Sequence, residues 1–155
     1  MVKINWFSFG STAAIVAGMA LVIGLDAAAL PKSAIVSSLL IVAIADNLAD
    51  SLSIHVYQES ERLEPGRAFL ATLTNFGARL VVSLSFVLIV VLMPLRGAVV
   101  VSVVWGLSLL AALSWMIARQ RRVRVLPEVV KHLLVAVTVI FLSKLLGEWI
   151  PAQFA

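Results

Sequence analysis

Apolar residues fill five long runs of the 155-residue chain, separated by short polar breaks. A helix crosses a bilayer with about 20 residues, so each run is long enough to span one. The first covers residues 8–30 and stops at Pro31-Lys32; the third covers 68–93 and stops at Pro94. The fourth, 98–118, ends on a group of arginines, and the fifth covers 127–149. The second run differs. It is apolar from residue 33 to Ala45, then turns polar with no helix breaker before Pro65-Gly66. Proline lacks the amide hydrogen that a continuing helix needs, so the pattern predicts one helix over 33–63, longer than a bilayer is thick. Its end, with Glu59, Glu61, Arg62 and Glu64, is expected to project into the cytoplasm. The predicted fold class is an all-α integral membrane protein: one membrane domain, residues 1–155, of five transmembrane helices.

Polar positions inside the runs turn a passive bundle into a candidate pathway. Asp46, Asp50, Ser53, Tyr57 and Glu61 recur at three- and four-residue spacing, which at about 3.6 residues per turn puts them on one helix stripe. Asn47 and Gln58 border that stripe. The third run carries its own: Thr72, Asn75, Arg79 and Ser83. An ionised group at bilayer depth costs at least about 2.5 kcal/mol, so these residues are expected to face the bundle interior or a wet cavity. Arg79 sits too deep in its run to reach the interface and requires a carboxylate partner.

Two readings of Asp46 and Asp50 follow. Either Arg79 neutralises them and the group only fixes helix register, or the pair holds a proton through like-charge repulsion, or a cation. One arginine is not expected to neutralise both of them and Asp26 as well, which favours the second. Asp26, in Gly24-Leu25-Asp26 near the far end of the first run, is either a solvated helix end or the far half of a relay with Asp50. His55 and Glu59, four residues apart, form either two arms of a metal site or a surface ion pair. The metal-ligand candidates are therefore Asp26, Asp46, Asp50, His55 and Glu59. Hard oxygen ligands dominate them, which suits a divalent cation such as Fe(II), Mn(II) or Mg(II). Asn47, Asn75 and Arg79 join the three aspartates as candidates for transport and proton coupling. Lys144 and Glu148 are expected to pair with each other.

Composition narrows the alternatives. The chain is 62% hydrophobic and 13% charged, about half the charged fraction of a soluble domain. It has no cysteine, which excludes disulfides, thiolate ligands and cysteine nucleophiles. The net charge of +4 comes from basic residues beside the spans, so it reads as membrane topology and not as nucleic-acid binding. Lys3, Arg62, Arg67, Arg119, Arg121, Arg122, Arg124 and Lys131 fall on one side, against Lys32, Arg96 and Lys144 on the other. That excess predicts a cytoplasmic N-terminus and a non-cytoplasmic C-terminus, in a prokaryotic inner membrane. The arginines after span four are expected to touch anionic membrane lipid.

No hydrolase, zinc-protease or phosphate-loop motif is present, and no catalytic residue is assigned. Asp46-x-x-x-Asp50 partly resembles the paired aspartates of the CDP-alcohol phosphatidyltransferases, without their upstream Asp-Gly and Ala-Arg. That keeps a metal-dependent membrane enzyme acting on lipid as one alternative. A non-catalytic scaffold is the other.

With five spans and this second helix, the chain resembles the vacuolar iron transporter family of divalent-metal/proton antiporters. Ala49-Asp50-Ser51-Leu52-Ser53-Ile54 is similar to that family's second-helix motif, and Gly24-Leu25-Asp26 to its Asp-bearing first helix. Ala68 through Phe76, closing at Met93-Pro94, is similar to its third helix, and Pro127 through Gly147 to its fifth. Ile54 stands where the family has methionine, Gln58 where it has glutamate, and the long acidic cytoplasmic insert between spans two and three is missing. The resemblance implies a homodimer whose ion path runs between the first and second helices of two subunits. The function it implies is exchange of an iron- or manganese-type cation for protons through a polar seam of spans one to three.

Overall fold

Prolines and helix-ending turns set the boundaries of a five-helix chain. The computed structural model of the protein describes residues 4–61 and 65–154, with the backbone alone described at 4–10, 65, 67 and 68. The elements are α1 (Ile4–Ala27), α2 (Lys32–Ser60), α3 (Pro65–Leu92), α4 (Leu95–Gln120) and α5 (Val125–Phe154). No strand occurs among the described residues. The all-α prediction and the order of the five helices agree with this architecture.

Most helix ends lie within a few residues of the expected spans, and two of the shifts have a local reason. α1 stops at Ala27 and not at residue 30, because Ala29 adopts φ 56° and the Leu30 amide donates back to the Leu25 carbonyl at 3.1 Å. That left-handed closure satisfies a last-turn carbonyl and turns the chain toward α2. α5 runs past Trp149, through Pro151, to Phe154. A proline so near a helix end removes one backbone bond, too small a loss to stop the helix earlier. α2 is seen to Ser60, with the Glu61 amide on the Tyr57 carbonyl at 3.1 Å. Its expected continuation to residue 63, with Arg62 and Glu64, lies outside the described residues, as do Lys3 and the Arg67 side chain.

Among the described residues, four helical stretches are long and apolar enough to cross a membrane: α2, residues 69–92 of α3, α4 and α5. Residues Ser11–Ala27 of the 24-residue α1 are apolar as well. With 29 residues, α2 extends about 43 Å, against a hydrocarbon core of about 30 Å.

α1 packs against all four other helices. Ile15, Met19 and Val22 are buried with Leu39 of α2, Phe86 and Val90 of α3, and Leu110 of α4. Lipid tails are as apolar as these side chains, so dispersion from close packing holds such a bundle together more than water exclusion does. Glycine permits the closest approaches. A Cβ on Gly18 would lie 2.7 Å from the Phe86 ring, and one on Gly147 of α5 would overlap the Gly24 carbonyl of α1. Lys32 joins the α2 start to the α3 end: its ammonium donates to the Val91 carbonyl at 2.8 Å and to the Met93 carbonyl at 3.0 Å. Those are orphan carbonyls of a helix C-terminus, where a cation is also favoured by the helix dipole.

Candidate functional site

The interface between α2 and α3 changes chemistry halfway along its length. α2 buries Ile35, Leu39, Ala43, Asn47 and Ser51, one side chain per turn. α3 answers with Val90, Phe86, Ser83, Arg79 and Asn75, all buried. Antiparallel packing sets apolar against apolar at one end and polar against polar at the other. A charged or amide side chain in hydrocarbon must find its partners inside the protein, so the polar half is held by hydrogen bonds between the two helices.

Arg79 is its centre. The guanidinium is 2% exposed and spends all three nitrogens on α2. Nη2 donates to Asp46 Oδ2 at 2.7 Å, Nη1 to Asp50 Oδ2 at 3.0 Å, and Nε to Asn47 Oδ1 at 2.8 Å. The planar guanidinium suits this role because its donors fan out in a fixed fork that spans one helical turn of acceptors. Asn47 is itself fixed, its amide nitrogen donating to the Ala43 carbonyl at 2.7 Å and contacting Ser83 Oγ at 3.3 Å. Asn75 adds longer contacts, from Nδ2 to Asp50 Oδ2 and to Ser51 Oγ, both at 3.4 Å. With both acids ionised the cluster carries one net negative charge.

The carboxylates do not face the bundle interior as the stripe suggested. Asp46 is 53% exposed and Asp50 40%. The buried face of α2 is the border of the stripe, Asn47 and Gln58, while Ser53, Tyr57 and Glu61 are exposed. The cause is steric and electrostatic: the seam against α3 admits small or neutral side chains, and the long arginine reaches outward to the acids. One guanidinium bonds both α2 acids without neutralising both, and Asp26 has no ion pair among the described residues.

Two open grooves border this region. One, about 620 Å³, lies between α1, α2 and α5 and is lined by Gly24, Leu25, Val42, Asp46, Ser143 and Gly147 among others. The second, about 420 Å³, lies between α2 and α3 and includes Ser51, His55, Phe69, Thr72 and Phe76.

Asp46, Asn47, Asp50, Asn75 and Arg79 are thus brought together, and the other candidates are not. Asp26 is half-buried near the end of α1, without a side-chain hydrogen bond or ion pair among the described residues, and it does not line the Asp46 groove. His55 meets Glu59 through Nε2 at 3.3 Å and Thr72 Oγ1 through Nδ1 at 3.3 Å, on the other groove. No three histidines or carboxylates gather as a metal-ligand set among the described residues. Lys144 and Glu148 pair at 3.8 Å, as expected.

Sequence reasoning missed two features. Gln58 is fully buried with neither amide atom hydrogen-bonded among the described residues, and the Asn75 Oδ1 is likewise buried without a partner among them. Gln58 had a legible signal, standing two turns beyond Ser51 on the same face. The Asn75 orphan depends on the packing of two helices and had none. Comparison with protein-family models, curated proteins and solved structures returned no match. The likeness to iron transporters therefore rests on the motif residues alone.

Proposed function

We propose that this chain is a membrane transporter that passes a divalent cation, of the iron or manganese type, in exchange for protons. Asp46 and Asp50 are its carriers, and Arg79 is their fixed counter-charge. The observation that carries the reading is the half-exposure of two acids within an apolar helix. A pair that served only to glue α2 to α3 would be most stable sealed between them, whereas both acids stay partly exposed and Asp46 lines the groove beside α1 and α5. Ionisable groups kept open at membrane depth mark ion and proton pathways.

In this reading the transporter is a homodimer. Apolar residues around the acids, such as Ile44 at 57% and Leu48 at 52% exposed, suit lipid or a partner helix equally, but the acids suit only the partner. Each cluster offers one net negative charge, so two clusters facing each other offer two, which one divalent cation neutralises. The N-terminus is cytoplasmic, and the arginine-rich corner between α4 and α5 touches anionic lipid.

Flux of Mn(II) into proteoliposomes against a proton gradient tests the proposal. Asp50→Asn should abolish most of it, and unchanged flux would sink the reading. The scaffold reading draws on the completeness of the Arg79 pairing; it requires that Asp46→Asn combined with Arg79→Gln leave function intact.

A further inference from the structure

We propose that Arg79 is a built-in competitor for the transported cation, whose fixed positive charge keeps Asp46 and Asp50 from holding that cation too tightly. The inference rests on the transport reading and assigns Arg79 a part in it beyond counter-charge. Three features of the cluster support it.

The first is that the charge cannot move away. A surface arginine swings aside when a cation arrives, but Arg79 is buried and pinned at Nε by Asn47, which is pinned in turn by the Ala43 carbonyl. The second is the division of faces. The guanidinium approaches both acids from the α3 side, while both acids stay partly exposed and Asp46 lines the groove beside α1 and α5. A cation arriving from the exposed side would meet the carboxylates with a like charge behind them. At roughly 5 Å separation and an effective dielectric of about 20, that repulsion weakens binding by a factor of ten at the very least.

The third feature points to a ligand independently of the acids. The amide whose nitrogen contacts Asp50 has a carbonyl oxygen with no hydrogen-bond partner among the described residues, on a residue that is 0% exposed. A buried acceptor without a donor is costly, and a turn of the Asn75 amide, whose nitrogen now contacts Asp50, would bring this hard neutral oxygen beside that acid to join a cation's shell. The site therefore has attraction in front, an extra neutral ligand at its side, and a permanent brake behind. Passage requires that balance: an ion must bind well enough to enter and weakly enough to leave. Two carboxylates without the brake would trap a divalent ion.

The experiment measures Mn(II) affinity by titration calorimetry and Mn(II) flux in proteoliposomes on the same full-length preparations. Arg79→Gln should bind Mn(II) at least tenfold more tightly than wild type and transport it more slowly. Arg79→Lys, which keeps the charge, should stay within about threefold of wild-type affinity. A purely structural Arg79 predicts that Arg79→Gln, by disordering the acids, binds Mn(II) more weakly. Should Arg79→Gln fail to fold, Asn47→Leu decides, because releasing Nε loosens the guanidinium. Tighter binding there supports the inference, and unchanged affinity overturns it. Wild-type flux that depends on Asp50, with no gain in affinity on losing Arg79, overturns the inference while sparing the transport reading. Absence of both binding and flux in wild type overturns the two together.

Discussion

Arg79 Nη2 and Asp46 Oδ2 lie 2.7 Å apart, although one residue is 2% exposed and the other 53%. The pair straddles the boundary between protein interior and surroundings, and Asp50, one turn along α2, does the same at 3.0 Å. Removing one acid leaves the guanidinium the other acid and Asn47, so Asp46→Asn alone should cost about 1–2 kcal/mol. Removing both leaves a buried cation uncompensated, a loss of about 3–5 kcal/mol. Asp46→Asn/Asp50→Asn should therefore destabilise by more than the sum of its single variants. Thermal unfolding in a fixed detergent measures this, and additive losses would show that the acids do not share Arg79.

That sharing marks where sequence reading stopped. Long apolar runs identified all five helices, since hydropathy over some 20 residues is a property of the segment itself. A lone arginine within such a run demanded an acid for the same kind of reason, and Asp46 and Asp50 supplied it. Periodicity on α2 fixed the angle between residues but not which side would meet α3, so Asn47 became the buried face and Asp46 the outer one. The separation of Asp26 and His55 from the cluster depended on distances between helices, about which a single sequence is silent.

Close approach of α1 and α5 predicts a contrast between two glycines. A Cβ on Gly147 would overlap the Gly24 carbonyl and come 2.9 Å from the Ala27 Cβ, so Gly147→Ala must push two backbones apart. The expected cost is about 1–3 kcal/mol. Gly77, inside α3, has nothing within 4 Å of its would-be Cβ. Gly77→Ala should stabilise by about 0.5–1 kcal/mol through lower unfolded-state entropy and better helix propensity. Melting temperatures of the two variants should move in opposite directions.

Gln58 offers a stabilising change at the polar end of α2. Both of its amide atoms are buried and unpartnered among the described residues, while the side chain is 0% exposed. Leucine has nearly the same volume and needs no hydrogen bonds. Gln58→Leu should therefore raise stability by about 1–3 kcal/mol. If the same variant lowered Mn(II) flux without loss of stability, Gln58 would be shown to be kept for function at a structural cost.

Ala29 and Arg122 end α1 and α4 in the same way, with φ of 56° and 53°. In each, an amide reaches back five residues: Leu30 to the Leu25 carbonyl and Val123 to the Ala118 carbonyl, both at 3.1 Å. Left-handed backbone costs an L-residue about 1–2 kcal/mol, and glycine avoids it. After allowance for glycine's greater freedom in the unfolded chain, Ala29→Gly should stabilise by about 0.5–1 kcal/mol. Arg122→Gly should gain as much in neutral detergent by the same reasoning, because Arg122 is exposed. Yet it stands among Arg119, Arg121 and Arg124, with the Arg119 guanidinium 5.3 Å from the Trp115 ring, a basic and aromatic edge suited to anionic headgroups. In bilayers containing phosphatidylglycerol the gain from Arg122→Gly should shrink or reverse, while that from Ala29→Gly persists. Equal gains for both variants in both settings would show that Arg122 is retained for something other than lipid charge.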